Sequence, residues 1–192
     1  MRTSELLPIL RSRVQGDLLA WCFLHPEREA SVTALAHHCN AAVPTVQHEV
    51  ARLVDGGLLL DRREGNVRLV RANTTTAMAR PLTELLMLSY GPRPVLSEAF
   101  VDVPGMVSAF IYGSWARRYE GENGPIPDDI DVLVVGTTDL DLLHDIARDV
   151  TLILNRDVNI RRVSPSAWKS ANDPFLKTVK SGALVQVHGS GQ

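Results

Sequence analysis

Residues Tyr112 to Val135 read YGSWARRYEGENGPIPDDIDVLVV. An apolar run, Val107 to Tyr112, ends in a Gly-Ser turn, and two aspartates one residue apart lead into a second apolar run, Ile130 to Val135. Gly113 lets the chain turn closely at the end of a strand. Ser114 offers a hydroxyl and a backbone N–H at the start of a helix beginning WARRY, where free N–H groups and the helix dipole favour phosphate. Arg117, a turn into that helix, adds a charge-assisted contact. Asp129 and Asp131 alternate with Ile130 and Val132, so at strand period both carboxylates leave one face. Two such carboxylates repel unless a cation sits between them, and hard oxygen ligands suit Mg²⁺ (or Mn²⁺), shared with the phosphates of a nucleoside triphosphate. A phosphate cradle facing a metal face is the parts list for nucleotidyl transfer. The plainer alternatives are a solvated strand entrance for the aspartates and a surface pair for Arg117 and Arg118. Trp115, Tyr119 and Trp168 read as packing residues.

Working outward, the order strand, Gly-Ser helix, strand Ile130 to Val135, helix Leu140 to Leu154 and strand Val158 to Val163 describes a mixed unit over residues 100–192. At this point the sequence resembles the minimal nucleotidyltransferases of the polymerase-β-like superfamily. Their pattern of apolar strand, Gly-Ser, spacer and Asp-apolar-Asp is matched by FIYGS, WARRYEGENGPIP and DDIDVLVV, and PFLKTVKSGALVQVHG resembles their C-terminal ending. The resemblance implies Gly113 and Ser114 at a triphosphate, Asp129 and Asp131 as catalytic metal ligands, and Arg117 as a phosphate contact. It also implies a third carboxylate on a later strand, often the general base. In RDVNIRRV the aligned position is Asn159, which can ligate a metal through its carbonyl oxygen but cannot take a proton at neutral pH. Asp157, on the same strand face, is the candidate substitute.

Toward the N-terminus, GDLLAWCFLHPERE has helical spacing and stops at Pro26, and SVTALAHHC starts a second helix at the N-cap Ser31. In VPTVQHEVARLVDGG, Pro44 suits a first helical turn, Val46, Val50, Leu53 and Val54 form a stripe, and Gly56-Gly57 is a stop. The hairpin LLLDRREGNVRLVRA follows, turning at Glu64-Gly65-Asn66, with Arg62, Arg63, Arg68 and Arg71 set against Asp61 and Glu64. Helix, short link, helix and hairpin have the lengths of a winged helix-turn-helix. Thr45, Gln47, His48 and Arg52 lie off the apolar stripe of the third helix, where groove contacts to double-stranded DNA belong, and Arg62, Arg63 and Arg68 are the candidate backbone contacts. Such a module also serves in dimerisation or protein binding, and wing arginines also read as a solvated face. The run VTALAHHCNAAVPTVQHEVARLVDGGLLLDRREGNVRLVRAN resembles the ArsR-type winged-helix regulators, which implies a major-groove helix and a wing on the DNA backbone. His37, His38 and Cys39 invite a metal-sensor reading, but neighbours on a helix point in different directions.

The expected architecture is therefore α+β: a winged helix-turn-helix domain over 1–78, a linker helix region over 79–99 and a nucleotidyltransferase-like domain over 100–192. The chain has 192 residues, 45% hydrophobic and 22% charged, enough for two small cores. A formal charge of -2 excludes a globally basic nucleic-acid binder, so any DNA surface is local. Two cysteines, Cys22 and Cys39, without CxxC spacing, argue against a disulfide framework. No apolar run is long enough to span a membrane, and MRTSELLPILRSR lacks a signal-peptide core, so a cytoplasmic protein is expected. The apolar segments 1–15 and 80–90 suggest a homodimer. Two functions stay open: a nucleotide-responsive DNA-binding regulator, or an active nucleotidyltransferase whose winged helix selects a protein, RNA or small-molecule acceptor.

Overall fold

The computed structural model describes residue 6, residues 8–170 and residues 172–189. The chain divides into two compact units, Met1–Gly91 and Pro92–Gln192, and its class is α+β.

In the first unit, α1 (Arg13–Leu24) starts where the Ser12 hydroxyl accepts the Gln15 N–H at 3.1 Å, three residues before the glycine at which the apolar pattern begins. Leu18, Leu19, Cys22 and Phe23 are all buried, so this helix is the unit's central post. Each fully buried Leu or Phe side chain contributes about 1.5–3 kcal/mol of transfer free energy. A two-residue strand β1 (Ala30–Ser31) leads into α2 (Val32–His38), capped by the Ser31 hydroxyl as expected. After a short link comes α3 (Val43–Asp55), with Pro44 in its first turn and Val46, Val50 and Leu53 buried. The wing is β2 (Leu59–Glu64) and β3 (Val67–Ala72), antiparallel and turning through Gly65 at φ +58°. With β1 on the far side of β3, the sheet order is β1-β3-β2, the topology of a winged helix-turn-helix.

The region 79–99, expected as a linker helix region, holds two helices, one in each unit. Helix α4 (Ala79–Tyr90) packs on α1 through a face that includes the buried Leu86 and Met87. Helix α5 (Pro92–Ala99) packs in the second unit. The break has a local cause: Gly91 is extended (φ -79°, ψ -171°), and Pro92 has no N–H with which to continue the helix.

In the second unit, β4 (Met106–Tyr112) runs into α6 (Gly113–Tyr119), and β5 (Asp129–Gly136) follows the loop. Helix α7 (Leu140–Leu154) is bounded as the sequence suggests, because the Asp139 carboxylate accepts the Asp141 and Leu142 N–H groups and Asn155 closes the helix in the left-handed region. Next come β6 (Asp157–Val163), α8 (Pro165–Ser170), α9 (Pro174–Ser181) and β7 (Val185–His188). The sheet order is β6-β5-β4-β7, with only β5 and β6 parallel. On one face of β4 and β5, Ala109, Ile111, Ile130, Val132 and Val134 are wholly buried. On the other face Leu133 meets Leu176 and Val179 of α9, with Tyr112, Trp168 and Phe175 packed against them. That partial cover leaves the start of β5 open.

Candidate functional site

The open end of the second sheet collects the polar residues. Cross-strand pairing places Tyr112 opposite Asp131 and Asp131 opposite Asn159, while Asp129 pairs with Asp157. Alternation therefore puts Asp129, Asp131, Asp157 and Asn159 on one face, beside the Gly113-Ser114 turn that ends β4. The Asn159 amide nitrogen lies 3.4 Å from Asp129 Oδ2 and 3.5 Å from Asp131 Oδ1. These are long contacts, and a flipped amide would present its carbonyl oxygen at the same place. Burial, and then the neighbouring Asp129 charge, push the Asp131 carboxyl above the ordinary carboxylate range, against a smaller opposing effect of the Asn159 bond. A cation would remove that cost. Gly113 sits at φ +72°, and a Cβ there would stand 3.2 Å from Asp131 Oδ2, so both backbone and space call for glycine.

Two carboxylate ligands, an amide oxygen in reach and a glycine cradle that leaves room beside Asp131 fit Mg²⁺, which takes one or two protein carboxylates and completes its shell from phosphates and water. Among the described residues no three His, Cys, Asp or Glu side chains converge on a metal position. Asp157, although in register with Asp129, therefore does not complete a trio.

Helix α6 starts without a side-chain cap, Tyr112 at its N-cap making none, and Ser114 sits in its first turn. Arg117 pairs with Glu122 at 3.1 Å, both side chains exposed, and Arg118 donates to the Glu122 carbonyl, so both arginines tie α6 to the following loop. Trp115 is buried and contacts Tyr119, consistent with packing, and the Tyr119 hydroxyl accepts the Arg93 N–H at 3.0 Å. Trp168 stacks on Phe110. The sequence reading missed Arg156, whose side chain is 2% exposed and reaches Asp128, the residue before Asp129, at 3.2 Å. It also missed Tyr112, Arg161 and Phe175 on the carboxylate face. For Tyr112 and Arg161 the period-two spacing from Asp131's partner strands was the available signal; Phe175 is brought in from another element and had none.

In the first unit, Gln47 and His48 of α3 face Arg63 and Arg68 of the wing across a groove of about 510 Å³, also lined by Ser31, Thr33 and Asn66. Thr45, Arg52 and Arg62 do not line it. Arg62 is held by Glu29 at 2.7 Å and Glu64 at 2.9 Å, which raise its pKa further, and Arg52 pairs with Glu49 at 3.4 Å. Arg68 is bonded to Asp61 at 2.6 Å, and Arg71 lies 3.6 Å from Glu29. Among the described residues Arg63 has no carboxylate partner. Cys22 and Cys39 are free, and burial pushes both thiols up to about 12, which makes them poor nucleophiles and metal ligands. Burial lowers the His38 pKa.

Among the described residues no helix is long and apolar enough to cross a membrane. No family model and no curated protein matches the chain. Solved structures similar to parts of it include MepR, a transcription regulator of the Staphylococcus aureus multidrug efflux pump MepA, at 16% identity and TM-score 0.37 over 44% of this chain. This chain covers 61% of the MepR chain, less than two thirds of its length. Lactococcus lactis ZitR in complex with DNA is similar at 17% identity and TM-score 0.36, over 53% of this chain and 70% of that one. A toxin-antitoxin with AMP-PNP is similar at 19% identity and TM-score 0.37, over 52% of this chain and 75% of that one.

Proposed function

We propose that this chain is a cytoplasmic DNA-binding transcription regulator whose second unit binds a nucleoside triphosphate with Mg²⁺ (or Mn²⁺). The observation that carries the reading is the Asp129 and Asp131 pair on one sheet face with the Asn159 amide between them. Asp129 and Asp131 would hold the cation, Gly113 leaves room for phosphate to approach Asp131, and Ser114 would offer its hydroxyl from the first turn of α6. The bound cation supplies charge neutralisation for the triphosphate. Asn159 at the third position keeps the ligand geometry without a proton acceptor, which favours binding over turnover. The first unit meets duplex DNA through Gln47 and His48 in the major groove, with Arg63 on a flanking phosphate and Arg68, tied to Asp61, beside it. Two copies would pair through the exposed α4 residues Leu85 and Leu88, placing two such helices on a two-fold operator. Gel shifts against a genomic fragment library, with and without Mg-ATP or Mg-GTP, test this; no retained fragment at low salt in either condition refutes it.

The second reading, an active nucleotidyltransferase, is favoured by one observation. Asp157 lies in register beside Asp129 on the same face and can accept the proton of an attacking hydroxyl. Labelled nucleoside triphosphates would then mark a protein, RNA or small-molecule acceptor and release pyrophosphate. Asp157→Asn would abolish that label, and an unaltered label would refute the role.

A further inference from the structure

The carboxylate face does not stop at Asn159. Arg161, two residues further along β6, projects on the same side, and its guanidinium carbon lies 3.8 Å from the centroid of the Phe175 ring. Phe175 in turn meets Tyr112 edge-on, with centroids 5.8 Å apart at 82°. Phe175 is itself seated on the apolar cluster of Leu133, Leu176 and Val179. The stack therefore holds a planar donor fork on a rigid base. Its charge is nearly free: Asp173, the one carboxylate near it among the described residues, is 4.0 Å away, and the Arg161 side chain is 52% exposed. Tyr112, Asn159 and Arg161 line a hollow of about 290 Å³ that reaches round β6 to His144 of α7. Strand order sets the sides. The Gly113-Ser114 turn ends β4, the paired carboxylates lie on β5, and Arg161 lies on β6 beyond them.

A held, half-exposed guanidinium in a small hollow beside carboxylates is an anion receptor, and its fork matches phosphate oxygens. We propose that Arg161, set on Phe175, binds the phosphate of a second, phosphomonoester ligand on the β6 side of Asp129 and Asp131. This rests on the nucleotide reading above: the triphosphate takes the turn side, and the second ligand presents its other end to the carboxylates.

The test uses the full chain and titration calorimetry with two probes, ribose 5-phosphate and ribose, each with Mg²⁺ and a saturating non-hydrolysable ATP analogue. The expected result is binding of ribose 5-phosphate at least about tenfold tighter than ribose, a preference lost in Arg161→Gln, partly kept in Arg161→Lys, and reduced in Phe175→Leu. Binding of the ATP analogue should be unchanged in Arg161→Gln. If the analogue binds wild type but the phosphate preference is absent, the Arg161 subsite is overturned and the nucleotide site stands. If Arg161→Gln weakens the analogue instead, Arg161 belongs to the triphosphate and the assignment is likewise overturned. If the analogue does not bind at all, the nucleotide reading falls, and the same probes without nucleotide decide the subsite by the same preference.

Discussion

Arg62 and Arg63 are neighbours in sequence with equal formal charge, yet the structure gives them opposite prospects at DNA. Arg63 lines the groove with Gln47 and His48 and has no carboxylate partner among the described residues. Arg62 lies outside it and is gripped by Glu29 and Glu64 at 2.7 and 2.9 Å. A phosphate that recruits Arg62 must first break two ion pairs, so little counterion release is left to gain. Each phosphate neutralised by a free cation contributes about -0.9 to the slope of log K against log salt. Raising salt from about 50 to 200 mM therefore weakens binding roughly 3.5-fold per contact, and about 12-fold for the two Arg63 side chains of a dimer. Arg63→Ala should accordingly lower the magnitude of the slope by about 0.9 per protomer and weaken binding at low salt. Arg62→Ala should leave the slope within about 0.3 of wild type. Fluorescence anisotropy on a selected operator over that salt range reads both. Equal slope losses for the two variants would refute the groove assignment.

Three further outcomes follow from the second unit and α4. Burial and the Asp129 charge raise the Asp131 carboxyl in the folded protein, so its ionised form costs stability above the folded pKa, and that cost disappears as pH falls through it toward the ordinary 3.8. Asp131→Asn should thus raise the melting temperature at pH 7 in EDTA by relieving the burial cost and the repulsion from Asp129, flatten the acid limb of the stability profile and abolish Mg-dependent nucleotide binding. A lower melting point in EDTA would contradict it. Gly113→Ala should destabilise by about 1–2 kcal/mol, since φ +72° is strained for any residue with a Cβ, and should weaken the nucleotide, with urea melts as the check. Leu85→Glu with Leu88→Glu should convert a dimer to a monomer in sedimentation velocity without loss of helix content, because both side chains are about half exposed. An unchanged dimer would move the interface elsewhere.

What was legible in the sequence was what is coded locally. The apolar pattern bounds α7 at Leu140 and Leu154, Ser31 caps α2, and period-two alternation puts Asp129 and Asp131 on one face. Proline and glycine marked the stop after α4, but not that the chain re-enters a helix at once and that the two helices serve different units. Long-range pairing was out of reach. Glu29, 33 residues from Arg62 in sequence, pairs with that arginine only in the folded unit. Phe175 of α9 reaches Arg161 of β6 only once the sheet is assembled. The proposed dimer surface over 1–15 falls partly on residues 1–5 and 7, which lie outside the described residues.

The central claim is a cation-dependent nucleotide site on the Asp129 and Asp131 face, and titration calorimetry of the wild-type chain with ATP, GTP, CTP and UTP tests it most directly. Saturable binding of at least one triphosphate in Mg²⁺ or Mn²⁺, lost in EDTA and lost in Asp129→Asn, is the expected result. Absence of binding for all four, or binding indifferent to the cation and to Asp129→Asn, would contradict it.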